Sequence, residues 1–492
     1  MLELDGRTGE GGGQLVRIAA ALAALTGQSL RVINVRGNRR FGGGLKAQHV
    51  AAIDWLAAAT HATVNGVHTG STTFTFKPKH VLLPHDTSPG NPIELRAATP
   101  AASTSLMLQA VLPYLLFARP HTPSAATTSV PSPPISLDLY GGTHVSFAPT
   151  FDYFDQVLFP TLEQWFGVRV ERELVQAGWG TGPAHSEAGF IRLVIHQPAG
   201  PTLIPKMPSL FDGKSDSLPV ITAIDATIMA PPDLVDPLAG ALAREVAQCA
   251  VLSPNPNELT VDLQFQRMEA SGHDSRLYVL LVARTDEGDV SGARRWGRDY
   301  LGTETIKRSA AGVIRPKGQK KGRKGAPAPA PAEAGSSIRG GFSALCDRIA
   351  RRVVLDLADE VAHGGCGDSY LQDQLVVFQA LSAGQTSFWR GKGKNSKLED
   401  TAGKEATGPV DDLQEAVEEL TLQDGDEAEQ EDVESETKNE GAADDTMAPF
   451  GEGSLHASTA RWVTAQVLPK VRWSANGTVC EGVGWARGSK ST

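Results

Sequence analysis

The stretch Gly9-Glu10-Gly11-Gly12-Gly13-Gln14 joins an alternating, strand-like start (Leu2, Leu4) to an apolar run with helical spacing, Leu15, Ile18, Leu22 and Leu25. Three successive glycines lack a Cβ, so their N–H groups can approach an anion closely and the chain can turn through positive φ. The helix that follows points its partial positive end back at the same loop. Glu10 adds a carboxylate there, which suits a metal ion bridging to phosphate better than bare anion binding. The loop alone also reads as a tight strand-to-helix turn with a surface Glu, because a glycine-rich loop is a weak motif.

Beyond this loop the pattern continues. The first helix stops at Gly27. A strand is expected over Leu30–Val35, then the basic loop Arg36–Lys46, a second helix from about Ala47 to Ala59, and short strands at Thr63–Val67 and Thr72–Lys77. This is a βαβαββ unit. A similar order recurs: a helix opened by Ser103 and Thr104, a strand ending at Tyr140-Gly141-Gly142-Thr143, a helix from about Asp152 to Phe166, and strands Val168–Glu173 and Phe190–His196. Residues 203–290 differ in texture, with an Ala/Leu-rich helix (Pro237–Val251) and strands at Leu259–Arg267 and Leu277–Ala283, and read as a small inserted α+β domain. The expected fold class is α+β, with repeated βαβαββ-type units in a large domain and a smaller inserted α+β domain. The division is 1–202, large domain, first part; 203–290, inserted domain; 291–390, large domain, second part; 391–450, acidic insertion; and 451–492, the C-terminal part.

The formal net charge of -10 over 492 residues is misleading. Residues 391–450 hold 19 Asp and Glu against 5 Lys, leaving 41 basic and 37 acidic residues elsewhere, a balance of +4. The folded part is mildly basic, compatible with a nucleic-acid partner. The acidic segment is low in aromatic residues and expected to be unfolded, apart from a short helix at Val410–Leu422. Arg315–Gly335, Lys/Arg-rich and then alternating Ala and Pro, is expected to be an extended loop. Both read as tolerated surface insertions; recruiting a partner, or competing with RNA for the basic surface, is the alternative. Four widely spaced cysteines (Cys249, Cys346, Cys366, Cys480) without a paired motif argue against a zinc site and a disulfide framework, and for a reducing compartment. No leader peptide is expected, and no apolar run is long enough to span a bilayer.

Two later stretches carry chemistry. Asp368–Gln379 reads as a helix burying Leu371, Leu375 and Phe378, with Tyr370, Asp373 and Gln374 at i, i+3 and i+4 so that they can meet on one face. Gly453–Trp462 reads as a strand end running into a helix, with His456 at the junction. A lone His is more often structural than catalytic.

In combination these pieces resemble the RNA 3′-terminal phosphate cyclase family. The matching stretches are Asp5-Gly6, Glu10 to Gln14 and Arg17; Arg36, Arg39, Gly44-Leu45 and Gln48-His49; Leu108-Gln109 and Leu112-Pro113; Gly141 to Thr143 and Ala148-Pro149; Tyr370 to Gln374; Leu455-His456; and Cys480 to Gly484. They stand in family order along most of the folded chain. The resemblance implies an ATP-dependent conversion of an RNA 3′-phosphate into a 2′,3′-cyclic phosphate, through a histidine-bound AMP and then an RNA adenylate. His456 matches the adenylated residue. Gln109, Pro149, Tyr370, Asp373 and Gln374 match nucleotide-contacting positions. Glu10 matches a ligand to a divalent metal, Mg2+ or Mn2+. Arg17, Arg36, Arg39, Gln48 and His49 match positions near the phosphates or the RNA end. The chemistry agrees: an imidazole is neutral for much of its population near pH 7, and an arginine fork suits phosphate.

Some features depart from the family. Arg40-Phe41-Gly42-Gly43-Gly44 is about one residue longer, Lys46 stands where Arg is usual and loses the fork, and Gly178–Gly189 replaces a stretch with a glycine triplet. Two competing readings are a non-catalytic cyclase-like RNA-binding factor in ribosomal RNA maturation, expected to lack the His and the glycine loop, and a carboxyvinyl-transferase-like enzyme, in which the Gln-Asp-Gln and Leu-His elements would have no role. The family and the run Lys317–Lys324 suggest a nuclear address, with the cytoplasm as alternative.

Overall fold

A computed structural model describes residues 1–39, 43–83, 90–118, 133–180, 187–198, 200–206, 219–253, 261–285, 293–302, 331–390, 450–487 and 489. The expectations for Arg40–Gly42, 181–186, 315–330 and 391–449, including the helix at Val410–Leu422 and the basic run Lys317–Lys324, lie outside these residues.

The first unit is built as β1 (Leu2–Asp5), α1 (Gly13–Thr26), β2 (Leu30–Ile33), α2 (Ala47–Thr60), β3 (Thr63–Asn65) and β4 (Phe74–Lys77). Its sheet runs β1-β2-β4-β3, with β1 and β2 parallel and the other pairs antiparallel. Gly27 ends α1 in the left-handed conformation. The second unit repeats this order with β5 (Ile93–Arg96), α3 (Thr104–Phe117), β6 (Ile135–Gly141), α4 (Phe151–Tyr153) continuing through a π-helical turn into α5 (Phe159–Phe166), β7 (Arg169–Gln176) and β8 (Gly189–His196). The sheet order β5-β6-β8-β7 and its strand directions copy the first. The internal repeat expected from residue patterns is therefore real in topology. Ser103 caps α3 by accepting from the Leu106 N–H, as its residue type predicts.

A third, shorter copy closes the arrangement: α8 (Ser369–Leu381), β13 (Ala383–Ser387), α9 (Leu455–Val467), β14 (Arg472–Ser474) and β15 (Val479–Val483), in the order β13-β15-β14. Helices from all three copies share one apolar core, including Leu15, Leu22, Met107, Leu115, Leu375 and Val463. Phe450, where the acidic insertion was expected to end, packs against this core, and its carbonyl accepts from Arg461.

A fourth sheet, β10 (Asp262–Ala270), β9 (Ala223–Ala230), β11 (Leu277–Arg284) and β12 (Arg295–Gly302), forms a separate core with α6 (Pro232–Gln248) and α7 (Pro331–His363). This core reaches past residue 290, where the sequence expectation ended the inserted domain. It takes in β12 and α7, and α7 already begins at Pro331, inside the stretch 315–335 expected to be an extended loop. Residues of β11 alternate between cores: Tyr278, Leu280 and Val282 join the large core, and Leu277, Val279, Leu281 and Ala283 the smaller one. Among the described residues, no helix is long and apolar enough to cross a membrane.

Candidate active site

The glycine loop and α9 hold each other in place. Gly11 turns with φ +64 and its N–H bonds the Thr8 carbonyl. The Glu10 N–H donates to Thr459 Oγ1 at 3.0 Å, 449 positions along the chain. Thr459 lies three residues after His456. His456 is not preceded by a strand as expected; it sits in the first turn of α9, after a loop whose Ser454 caps the helix by accepting from the Ala457 N–H at 3.1 Å. The ring therefore sits at the positive end of a helix dipole, which favours a bound anion.

Around this ring, side chains from four helices form two hydrogen-bonded groups. His456 Nδ1 and the Gln14 side-chain amide share a hydrogen bond at 2.8 Å. Asp373, Gln374, Gln109 and Arg17 form a second group beside it. Gln374 Nε2 donates to Asp373 Oδ1 at 2.8 Å, Gln109 Nε2 to Gln374 Oε1 at 2.5 Å, and Arg17 Nε to Gln109 Oε1 at 2.8 Å. Burial raises the Asp373 pKa, while the nearby His456, the Gln374 hydrogen bond and the Arg17 charge oppose that shift.

Glu10 lies beside the ring, only 8% exposed at its side chain. One oxygen pairs with the Arg39 guanidinium. The other, Oε2, is buried without a hydrogen-bond partner and lies 3.7 Å from His456 Nδ1. A bare carboxylate oxygen in a buried place fits a hard cation. Among the described residues, no three His, Cys, Asp or Glu side chains converge as a metal cage, so Glu10 could hold a cation only together with oxygens from a ligand or water.

His49, in the first turn of α2, is buried against the same loop. Its Nδ1 accepts the Lys46 N–H at 3.1 Å, which leaves the proton on Nε2. Burial, and then the charges of Arg17, Arg36 and Lys46, hold its pKa well below the ordinary value. Its Nε2 has no hydrogen-bond partner, and a Cβ on Gly13 would stand 2.5 Å from it and 2.7 Å from Arg17 Nη1. A glycine is required there for space, and what lies against it is an unsatisfied donor. That cradle fits a phosphate.

The remaining expected residues are placed as follows. Arg36 is buried, at φ +53, and donates to the Gly44 carbonyl; Gln48 is buried in the first turn of α2. The Pro149 carbonyl accepts from Ser105 Oγ at 2.6 Å. Tyr370, 39% exposed, carries the Arg298 guanidinium over its ring at 4.2 Å and meets the edge of Tyr153. Gln14 and Thr459 were not singled out as functional; Gln14 stood in the quoted loop, and Thr459 lay one helical turn beyond His456. In the altered stretch 178–189, Trp179 and Glu187 pair as a bridge, and Trp179 is buried against His144.

Comparison with known proteins gives a consistent result. The family model described as RNA 3′-terminal phosphate cyclase matches residues 8–400. An RNA 3′-terminal phosphate cyclase of Methylococcus capsulatus is 41% identical over 179 residues, 36% of this chain and 45% of the relative. One of Methanosarcina barkeri is 40% identical over 164 residues, 33% of this chain and 43% of the relative. Both matches thus span less than half of the relative's length. One of Staphylothermus marinus is 27% identical over 386 residues, 78% of this chain and 86% of the relative.

Proposed function

The chain belongs to the RNA 3′-terminal phosphate cyclase family, and from that premise we propose that it uses ATP to convert an RNA 3′-terminal phosphate into a 2′,3′-cyclic phosphodiester. His456 is the nucleophile. Its unprotonated nitrogen attacks the α-phosphorus of ATP; the N–P bond forms as the bond to the β-phosphate oxygen breaks, and pyrophosphate leaves. AMP then passes from the ring to an oxygen of the RNA 3′-phosphate. The neighbouring 2′-OH attacks that phosphorus, gives up its proton, and expels AMP. The observation that carries this proposal is the His456 ring, held through Nδ1 by Gln14 and lying 3.7 Å from a buried, bare Glu10 oxygen at the glycine cradle.

Other residues take supporting parts. Asp373, Gln374, Gln109, Pro149 and Tyr370 bind and orient the nucleotide. Arg17, Arg36, Arg39, Gln48 and His49 serve the phosphates or the RNA end, and His49 offers an N–H donor at neutral charge. A magnesium or manganese ion would be held by Glu10 and would offset phosphate charge. A nuclear address is part of the same proposal, supported by the run Lys317–Lys324.

The direct test incubates the chain with ATP, a divalent cation and a short RNA ending in a radiolabelled 3′-phosphate. Cyclisation makes the terminal label resistant to phosphatase; a label that stays sensitive under every metal would overturn the proposal. Two further outcomes are expected. Glu10→Ala slows AMP uptake at least about tenfold and raises the metal concentration needed for half-maximal rate, because it removes the oxygen that would share the cation's charge. Removing residues 391–449, which retains Phe450 and its contacts, leaves AMP uptake unchanged, measured as acid-labile label taken up from α-labelled ATP.

A further inference from the structure

Taking His456 as the nucleophile proposed above, we infer that Arg461 is a positioning residue: it clamps the loop that delivers the chain to α9, and so keeps the ring in place whatever precedes that loop. His456 follows the acidic stretch 391–449 by six residues, Phe450 to Leu455. A nucleophile must be placed closely, since an error of about 1 Å can cost roughly a hundredfold in rate. A long segment immediately before it endangers that placement unless the chain is fixed again before the helix begins.

Arg461 supplies that fixation. It lies on α9, five residues after His456, and is 1% exposed. A buried guanidinium is costly to desolvate, and burial pushes the Arg461 pKa down to about 10. The hydrogen bonds that offset this cost run back to the loop. Nη1 donates to the Phe450 carbonyl at 3.2 Å and to the Glu452 carbonyl at 2.8 Å. Two glycines make room for the group: at Gly451 (φ +92) and Gly477 (φ +81) a Cβ would stand 2.6 and 2.9 Å from Nη1. The Trp473 ring, on β14, lies 5.9 Å from the guanidinium carbon. The guanidinium thus sits between the loop and the turn that joins β14 to β15. That turn holds the loop a second time, because the Glu452 N–H donates to the Asn476 carbonyl at 2.7 Å. It also holds the chain ahead of the insertion, where the Phe388 N–H donates to the Thr478 carbonyl at 2.8 Å. The chain leaves and returns at one turn, and Arg461 joins that turn to the helix bearing His456.

The experiment uses the full chain and measures acid-labile label taken up from α-labelled ATP at saturating ATP. Arg461→Met, similar in length but without donors, should slow uptake at least about tenfold. Its ATP affinity should stay within about threefold of wild type, since a positioning effect falls on the rate. Removing residues 391–449 from that variant should then bring the rate back to within about threefold of wild type, because a short connection restrains the loop by itself. The removal leaves Trp389, Arg390, Phe450 and Gly451 between the two bonds to the turn. A general loss of packing around Arg461 would not be repaired by a change outside the helix. An Arg461→Met protein as fast as wild type, or a slow one that the removal does not restore, overturns the inference. A second measurement needs no variant: hydrogen exchange at the Glu452 amide of the wild type should be as slow as in α9. Fast exchange there overturns the clamp, even where Arg461→Met fails to fold. A wild type that takes up no AMP counts against the nucleophile, and exchange at Glu452 then decides the clamp alone.

Discussion

His456→Ala takes up no acid-labile label from α-labelled ATP, a fall of at least about a thousandfold, since deleting an enzyme nucleophile can cost some six orders of magnitude. The loss is chemical. The ring is about a third exposed at the side chain, so truncation opens no large cavity. Helix α9 keeps its Ser454 cap, the Thr459 contact with the glycine loop, and the Arg461 bonds to the Phe450 and Glu452 carbonyls. The unfolding midpoint should therefore move little while label uptake disappears. The bonds from Arg17 through Gln109 and Gln374 to Asp373 do not involve the ring and persist. The decisive comparison is label per mole of folded protein at saturating ATP. Residual labelling near the wild-type level would mean that another residue accepts AMP.

Arg298→Ala destabilises the fold by about 3–5 kcal/mol, the usual cost of leaving buried carboxylates without their cation. Arg298 is buried between the two cores. It pairs with Glu360 of α7, donates to Ser369 Oγ at 2.7 Å and lies 3.5 Å from an Asp368 oxygen. Asp368 caps α8 by accepting from the Leu371 N–H at 2.9 Å, and it also accepts from the Tyr153 hydroxyl and the Gly297 N–H, both at 2.7 Å. Burial raises the Asp368 pKa, and Arg298 is the main influence opposing that shift. Without Arg298 the shift grows. A carboxyl whose folded-state pKa is raised costs stability only where it is charged, so the deficit is small in acid and widens as pH rises through that pKa. Urea titrations at two pH values read both effects, with the slope unchanged if the transition stays two-state. Since Asp368 begins the helix that carries Asp373 and Gln374, AMP uptake should fall as well. A loss below about 1 kcal/mol would show that the pair contributes no more than a surface one.

Local chemistry made part of this legible in the residues. The glycine loop, the helix opened at Ser103, the Gly27 stop and the 3.6-residue spacing of α1 all act within one turn of the chain, and each reads directly. Several strands did not, β9 and β12 among them. β9 (Ala-Ile-Asp-Ala-Thr-Ile-Met-Ala) is buried along its whole length, and a strand covered on both faces loses the period-two alternation that marks a half-exposed one. β12 contains Arg298 and Asp299, which read as surface until their partners on α7 and β11 are known. The same blindness moved the boundary of the smaller core, because α7 belongs to it only through packing against α6 and the sheet.

Residue types and their neighbours were enough to establish a repeated βαβαββ chain, its glycine cradle and the side chains capable of phosphoryl chemistry. Tertiary packing decided which of them meet. Gln14 and His456 touch across 442 positions and Gln109 and Gln374 across 265, because inner helices from three copies of one unit bring their residues to a shared centre. No local pattern encodes such pairs: hydrogen-bond polarity is a property of two groups together, and a chain records each of them separately.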